Sequence, residues 1–347
     1  MNDRLESMRT WTAPGAWSRR ECLAGLGALV LGLGSTNAAA APEVQRRSRS
    51  LLGTQLDITV DHADQALGAF AIEAAFAEMQ RLEGLLSHYR EDSELGALRR
   101  AAGRQALAVS PELWAVLRRA ETVSAFSDGA FDATVGAYSG WDFAGASRHL
   151  PSSVELAAER RLVNYRDVVL ERGGGVRLRK PGMRLDLGGI AKLPILQAGQ
   201  NVLRHHGIRN AMLNGGGDVL CCGQLQGRDW RVGLRDPRAP QKLLLTIALR
   251  DGVVASSGDY LRCFWRDGRR YHHVLDPRTG LPSGGVHGVT LIANHSETVN
   301  GLGAAIMVAG AVQGRHLIAN TPGMAGMIVS SDSTLWQSAD VARLRVT

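Results

Sequence analysis

The segment Leu185–Lys192, with the sequence LDLGGIAK, constrains this chain more than any other. An apolar stretch ends here in a carboxylate, two glycines and a lysine. Glycines lack the Cβ atom that would keep backbone N–H groups away from an anion, and a helix that begins after them points its positive end at the same place. We therefore expect a strand over Arg184–Leu187, a helix beginning near Ile190 and a phosphate-bearing ligand between them. A tight turn without a ligand is the alternative interpretation.

The side chains around this segment permit a binding pocket. Asp186 and Lys192 can face one pocket across the glycine turn, where the lysine offers a charge for a phosphate and the aspartate accepts a ligand N–H or hydroxyl. Tyr89 and Phe131 can wall an aromatic ring system, although a phenylalanine in an apolar stretch is more often part of a core. Asp132 beside Phe131 favours a site.

A histidine marks a second candidate position. His273 is followed by Asp276 in a segment that continues into the turn Pro277–Gly280. Imidazole titrates near neutral pH, so His273 can bind a ligand or act as an acid or base. The alternative is a histidine that is hydrogen-bonded within the turn.

The periodicity of the chain predicts an α+β fold with mixed or antiparallel sheets and packed helices. Asp64–Arg90 has apolar residues at helical spacing, Ser110 before Pro111 is typical of a helix N-terminus, and Ser50–Asp61 alternates as a strand does. Further strands are predicted over Ala211–Cys222, Trp230–Leu234, Leu243–Leu249, Gly252–Ser256, Arg270–Leu275 and Gly288–Ala293, and further helices over Ile195–Gly207 and Thr298–Val308.

The N-terminal residues predict an export signal. Arg19 and Arg20 precede an apolar run, Ala24–Leu33, and four alanines, Ala38–Ala41, provide a cleavage site. The run is shorter than the roughly 20 residues of a spanning helix, so a cleaved signal is favoured over a membrane anchor. We assign residues 1–41 to a twin-arginine signal and 42–347 to one folded region, and expect a periplasmic protein with no membrane span in the mature chain.

Composition narrows the class of protein. A chain of 347 residues with 45% hydrophobic residues can bury a sizeable core. Removal of residues 1–41 takes away four of the 40 Lys and Arg and three of the 33 Asp and Glu, which leaves a net charge of about +6. These charges are scattered and no basic run is interleaved with aromatic residues, so we expect no nucleic-acid binding.

Three cysteines follow the predicted signal: Cys221, Cys222 and Cys263. Their spacing does not suggest a metal site, and we expect small buried hydrophobic residues. Adjacent cysteines rarely bond to each other because the geometry is strained, so any disulfide would join Cys263 to one of the pair.

Seven blocks of sequence, in order, carry a resemblance to a known family. They are Leu52–Thr54, Leu86–Tyr89 with Ser93–Leu95, Gly129–Val135, Leu185–Lys192, Asn214–Asp218, Ser257–Tyr260 and His273–Pro282. From about residue 50 to its C-terminus the chain resembles the FAD:protein FMN transferase, or ApbE, family. The resemblance implies an ApbE-like (T-fold-like) architecture. It also implies an FAD pocket lined by Leu52, Tyr89, Ala130, Phe131, Asp132, Asp186, Lys192 and His273.

The resemblance implies a chemistry as well. Enzymes of this family split the pyrophosphate of FAD with Mg²⁺ and attach FMN through a phosphoester to a Thr or Ser hydroxyl of a partner protein. His273 and Asp276 would then be the catalytic residues. The implied partner is an acceptor subunit of a membrane-associated redox complex.

The chain departs from the family at the metal site. Family members have an Asp and, four residues later, a Thr at the start of a helix, together with a backbone carbonyl of the glycine-rich segment. The matching positions here are Asn300, Ala304 and Gly189. Residues four apart on a helix share a face, so both losses are expected in one place. Mg²⁺ prefers carboxylate oxygens, and Glu297, one turn earlier, is the residue that could supply one.

Three functions remain open at this point. The first is an exported FAD:protein FMN transferase with weak or unusual Mg²⁺ dependence, which the retained pocket residues favour. The second is a non-catalytic FAD-binding protein, a flavin carrier or a maturation partner of a reductase, which Asn300 and Ala304 favour. The third is a periplasmic binding module for another anionic metabolite.

Overall fold

The computed structural model describes residues 44–143, 149–260 and 262–346. These described residues belong to one compact unit. The signal predicted over residues 1–41 lies outside the described residues, and its boundary stays a prediction.

Helices and strands occur in runs along the described chain, with eight successive strands between α5 and α6. The helices are α1 (Gln65–Leu86), α2 (Glu94–Ala101), α3 (Pro111–Phe126), α4 (Ser153–Arg160), α5 (Lys192–His205), α6 (Ser296–Val299), α7 (Leu302–Ala319) and α8 (Ala339–Leu344). The strands are β1 (Val44–Leu51), β2 (Thr54–Asp61), β3 (Leu107–Ala108), β4 (Val168–Glu171), β5 (Gly175–Leu178), β6 (Ala211–Gly215), β7 (Asp218–Cys222), β8 (Trp230–Asp236), β9 (Ala239–Leu249), β10 (Gly252–Gly258), β11 (Cys263–Arg266), β12 (Arg269–His272), β13 (Val286–Ala293), β14 (Met324–Ser330), β15 (Leu335–Gln337) and β16 (Arg345–Val346). The predicted α+β class is confirmed.

One eight-stranded antiparallel sheet organises the molecule. Its strand order is β1-β2-β6-β7-β10-β13-β14-β15. Successive side chains of a strand point to opposite faces, so Leu291 of β13 joins the main core while its neighbour Ile292 joins a second core. Helices α1, α5 and α7 pack on the main-core side, and the small sheet β16-β9-β8 with α8 covers the other.

Two segments predicted as single strands are hairpins. The segment Ser50–Asp61 turns at Leu52 and Gly53, with φ of 57° and 66°, and Ala211–Cys222 turns at Gly216 and Gly217, with φ of 65° and 103°. Two-residue turns with positive φ match the twist of paired strands. The glycines at 215–217 were a turn signal in the second segment, whereas the first segment offers only Gly53.

The predictions for the first helices are confirmed. Helix α1 begins after Asp64, whose side chain accepts the Leu67 N–H at 2.9 Å, and α3 begins with Pro111 after the N-cap Ser110. These caps satisfy donors that a helix N-terminus leaves without partners.

The predicted helix Thr298–Val308 is two helices. Gly301 has φ of 82°, in the left-handed region, and separates α6 from α7. Asn300 therefore caps the C-terminus of α6, whereas Ala304 lies in the first turn of α7. The expectation that both residues share one helix face is wrong.

The segment Arg184–Leu187 is not a strand, which corrects a second expectation. Leu185 and Leu187 are buried as predicted, but the Asp186 N–H donates to the Ala133 carbonyl at 2.8 Å. The partner is thus a 3₁₀ turn at Ala133–Ala137 and not a neighbouring strand.

Helix α7 has the length and apolar composition of a membrane span, with a mean hydropathy of 1.3. Its side chains Ala305, Ile306 and Leu317 are buried in the main core, and the helix packs against β13 and β14. Gly310, at φ 85°, interrupts its helical geometry. These contacts are those of a core helix.

Candidate functional site

The glycine-rich segment forms a turn that leads into α5. The Gly188 N–H donates to Asp186 Oδ1 at 2.7 Å, and the helix begins at Lys192, two residues later than expected. The N-cap residue Ala191 makes no side-chain hydrogen bond. The helix entrance therefore presents its backbone without a side-chain cap.

Gly189 brings two predicted site residues together. A Cβ atom on Gly189 would lie 3.3 Å from Phe131 Cε2 and 3.3 Å from Ala304 Cβ. The absence of a side chain is what permits this approach. Phe131 is itself buried in the main core, next to the buried Ala130.

Asp132 holds the segment that carries Phe131 in place. Its buried carboxylate accepts the Thr134 N–H at 2.8 Å, the Thr134 hydroxyl at 2.6 Å and the Tyr165 N–H at 2.8 Å. Burial raises the pKa of Asp132, and these hydrogen bonds oppose the rise. The contacts fix the chain that carries Phe131; a contact with flavin stays a prediction.

Asp186 lies beside a histidine that the sequence analysis did not assign. His88 Nδ1 is 3.5 Å from Asp186 Oδ1, and its ring lies 3.8 Å from that of Tyr89. Tyr89 is 76% exposed, so its ring is free to contact a ligand. The signal for His88 was its place next to Tyr89 in the motif block Leu86–Tyr89.

His273 lies close to the same carboxylate. The pKa of His273 is lowered to about 4, mainly by burial and also by the charges of Arg262 and His272, whereas Asp186 acts in the opposite direction. The side chain nevertheless keeps a solvent-exposed surface. One side of the ring is therefore covered by protein and another faces solvent, and the lowered pKa keeps the imidazole neutral at pH 7. We refer to the partly open surface around His273, with Asp186, Arg262 and the Leu52–Gly53 turn, as the recess.

Asp276 stabilises a turn. Its carboxylate accepts the Arg278 N–H and guanidinium, each at 2.9 Å, and its backbone carbonyl accepts the Gly280 N–H at 2.8 Å. Tyr138 and Trp141 hold the same turn through its backbone carbonyls. A catalytic role for Asp276 stays a prediction, because its described contacts are with Arg278 and not with His273.

Lys192 has an acidic partner that sequence reasoning missed. Its Nζ lies 3.0 Å from Asp218 Oδ2, and Asp218 Oδ1 accepts the Ser256 N–H at 2.9 Å. Asp218 is the last residue of the motif Asn214–Asp218, which was the available signal. The pair fixes the start of α5 against the main sheet and neutralises much of the lysine charge.

The Leu52–Gly53 turn closes the other side of the site. The Leu52 N–H donates to the Glu83 carboxylate, and a Cβ on Gly53 would overlap the Arg262 guanidinium. Arg262 therefore lies directly over this turn. Its carbonyl accepts the His273 N–H at 3.1 Å, so the turn, Arg262 and His273 are neighbours.

The predicted metal residues do not form a set that fits Mg²⁺. Asn300 is buried, and its backbone carbonyl accepts Nη2 of Arg119 at 3.1 Å, so a cation is already present there. Ala304 places a methyl group beside Gly189, and Glu297 is exposed. Within the described residues, no group of three or more His, Cys, Asp or Glu side chains could hold a metal ion. Mg²⁺ favours carboxylate oxygens, and this position supplies amide and carbonyl groups.

The three cysteines described by the structure are free thiols. Cys221 and Cys222 are buried on opposite faces of the main sheet, as expected for small hydrophobic residues. Burial raises the pKa of Cys221 to about 12, so the thiol stays protonated.

The fold and site define a class of α+β proteins in which a glycine-rich turn with an aspartate lies before a helix and a histidine is affected by the charge of that aspartate. Residues 52–328 match the model of the ApbE family. The chain is 32% identical over 338 residues to a FAD:protein FMN transferase of Treponema pallidum, which covers 92% of this chain and 93% of the relative. A Klebsiella pneumoniae FAD:protein FMN transferase is 32% identical over 253 residues, covering 72% and 77%.

Comparison with solved structures indicates the same family. The ApbE protein of Thermotoga maritima superposes with a TM-score of 0.81 at 30% identity, over 88% of this chain and all of that one. The flavin transferase ApbE of Vibrio cholerae has a TM-score of 0.76 at 26% identity, covering 87% and 99%. The chain belongs to the ApbE family. The predicted family and its architecture are thereby confirmed.

Proposed function

We propose that this protein is a FAD:protein FMN transferase that cleaves FAD and attaches FMN by a phosphoester bond to a Thr or Ser hydroxyl of a periplasm-facing redox protein. The relatives that carry this activity in their names span most of the chain. The observation that carries the proposal is the recessed, neutral His273 beside Asp186 and the glycine-rich turn.

The residues of the recess can perform the transfer. The neutral imidazole of His273 accepts the proton of the acceptor hydroxyl, whose oxygen forms a bond to the phosphorus of the FMN half. The bond from that phosphorus to the bridging oxygen breaks, and AMP leaves with this oxygen. Asp186, near His273, favours the protonated imidazole that results. The imidazole later returns its proton to water or to AMP.

A second candidate is a non-catalytic FAD-binding protein, such as a flavin carrier or a maturation partner of a reductase. The observation in its favour is the neutral set of groups at Gly189, Asn300 and Ala304. FAD binding without FAD cleavage would distinguish this candidate from a transferase.

An exported protein fits this function, because the proposed acceptor faces the periplasm. The support is the pair Arg19 and Arg20 before an apolar run and an alanine-rich cleavage site. Cell fractionation of the wild type and an Arg19→Lys/Arg20→Lys double variant tests it. Equal periplasmic amounts of both would contradict twin-arginine export.

The decisive experiment incubates the chain from residue 42 with FAD and an acceptor domain that contains a reactive threonine. AMP is followed by chromatography and covalent flavin by in-gel fluorescence. His273→Gln should abolish both products, whereas His316→Gln, at an exposed position of α7, should leave them unchanged. FAD binding with no AMP release would establish the second candidate, and no flavin binding would contradict both.

A further inference from the structure

Arg262 occupies a defined place in the recess. It lies just before β11, and its carbonyl accepts the His273 N–H at 3.1 Å, so the two ends of the β11–β12 hairpin meet here. Its guanidinium lies over Gly53, where any side chain would overlap it. The Leu52–Gly53 turn thus leaves space for the Arg262 guanidinium next to the segment that carries His273, the candidate base.

The charge of Arg262 has no carboxylate partner among the residues that the structure describes. Two other cations of the motif blocks do have a carboxylate partner: Lys192 pairs with Asp218 at 3.0 Å, and Arg278 pairs with Asp276 at 2.9 Å. Asp186, the acid of the recess, has His88 at 3.5 Å. The lysine that the motif offers to a phosphate is therefore largely neutralised, while Arg262 keeps a whole positive charge.

The positive charge of Arg262 acts on His273. The His273 N–H donates to the Arg262 carbonyl at 3.1 Å, and the positive charge of Arg262 contributes to lowering the pKa of His273. An anion bound between the two groups would relieve this repulsion. A guanidinium is always charged and presents a planar fork of donors that fits phosphate oxygens in pairs.

The side chains matched to the family's metal ligands carry no charge, and the one cation beside them, Arg119, donates its guanidinium N–H groups to the Asn300 carbonyl. Ala304 contributes a methyl group and Asn300 a buried amide whose backbone contacts Arg119. A diphosphate bound beside His273 would gain from an unpaired cation there, because a hydrogen bond between charged groups is stronger than one between neutral groups.

We propose that Arg262 binds the diphosphate of FAD in place of a divalent cation, so that this protein binds FAD without a metal. The inference rests on the proposed function only in taking FAD as the ligand. It concerns binding, and it is therefore tested separately from the transfer of FMN.

The test is a fluorescence titration of the chain from residue 42 with FAD and with riboflavin, in EDTA and in Mg²⁺. We expect Arg262→Gln to weaken FAD binding about tenfold or more, since a hydrogen bond to a charged group is lost. Arg262→Lys should recover part of the affinity. Riboflavin has no phosphate, so its affinity should not change.

The matched control is Arg266→Gln, an exposed arginine on the same hairpin that lies 3.9 Å from Asp267. It should bind FAD as the wild type does. Thermal unfolding checks that each variant is folded. The comparison of FAD binding in EDTA and in Mg²⁺ is made on the wild type and does not depend on any variant.

Three results would overturn the inference. The first is wild-type protein that binds FAD in Mg²⁺ but not in EDTA. The second is an Arg262→Gln affinity equal to that of Arg266→Gln. The third is no FAD binding by the wild type under any condition, which would also remove the proposed function. Metal-free FAD binding through Arg262 without AMP release would contradict transferase activity and still support this inference.

Discussion

At the scale of a single residue, His273 determines how we expect the transferase activity to depend on pH. Desolvation, together with the charges of Arg262 and His272, lowers its pKa from 6.5 to about 4. Because the pKa is lowered, the imidazole keeps its neutral, proton-accepting form as the pH falls below 7. We expect the acid limb of kcat/KM for FAD near pH 4, since this ratio reports the free enzyme.

Two variants sharpen this measurement. Arg262→Gln removes a positive charge that repels the protonated imidazole, so its acid limb should move to higher pH. His316→Gln leaves the surroundings of His273 unchanged and should give the wild-type profile. A wild-type limb near pH 6.5 would show that His273 is an unperturbed histidine and contradict the recessed geometry.

The residues of the site were predictable to different degrees. Asp186, Lys192 and His273 were identified by chemical type and motif. Their partners His88, Asp218 and Arg262 were not, because pairing is a relation in space that no spacing along the chain records. The structure thereby changes the interpretation of Lys192, whose charge is shared with Asp218.

At the scale of elements, two hairpin turns provide a comparison. Leu52–Gly53 and Asp267–Gly268 each join two antiparallel strands, and all four residues have positive φ. An alanine at either glycine should cost about 1 kcal/mol, because an L-residue is strained in this region. The two positions differ in what an added Cβ would meet.

We expect Gly53→Ala to weaken FAD binding and Gly268→Ala to leave it unchanged. The added Cβ overlaps the Arg262 guanidinium at Gly53, whereas it meets no atom within 4 Å at Gly268. Urea unfolding measures the shared loss of stability, and fluorescence titration measures the affinity. Equal affinities for both variants would mean that the turn does not position Arg262.

Element boundaries show where sequence reasoning stopped. Apolar spacing from Asp64 and the cap at Ser110 gave two helix starts correctly, since both signals are local. The division of the last predicted helix at Gly301 was missed, although a glycine was present. A positive φ is imposed by packing: a Cβ on Gly301 would lie 3.2 Å from Ile190 and 3.3 Å from Val123.

At the scale of the whole molecule, the main sheet separates two cores. The larger contains Leu185, Leu187 and Ile190 of the glycine-rich segment, and the smaller is built around Trp230 beneath β8 and β9. Alternating hydrophobic residues predicted buried strands, but the assignment of each face to a core depends on which strands pair. That information is contained in long-range contacts and not in the local pattern.

This separation makes stability and binding independently variable. Trp230 is 1% exposed, and its indole N–H donates to the Cys222 carbonyl at 3.1 Å. Trp230→Phe removes this donor from a buried acceptor and leaves a small cavity, so the free energy of unfolding should fall by about 1–3 kcal/mol. Affinity for FAD should not change, because the candidate site draws its supports from the other core. Trp265→Phe, at an exposed position, is the control for both measurements. A fall in FAD affinity of folded Trp230→Phe protein would show that the second core supports the recess.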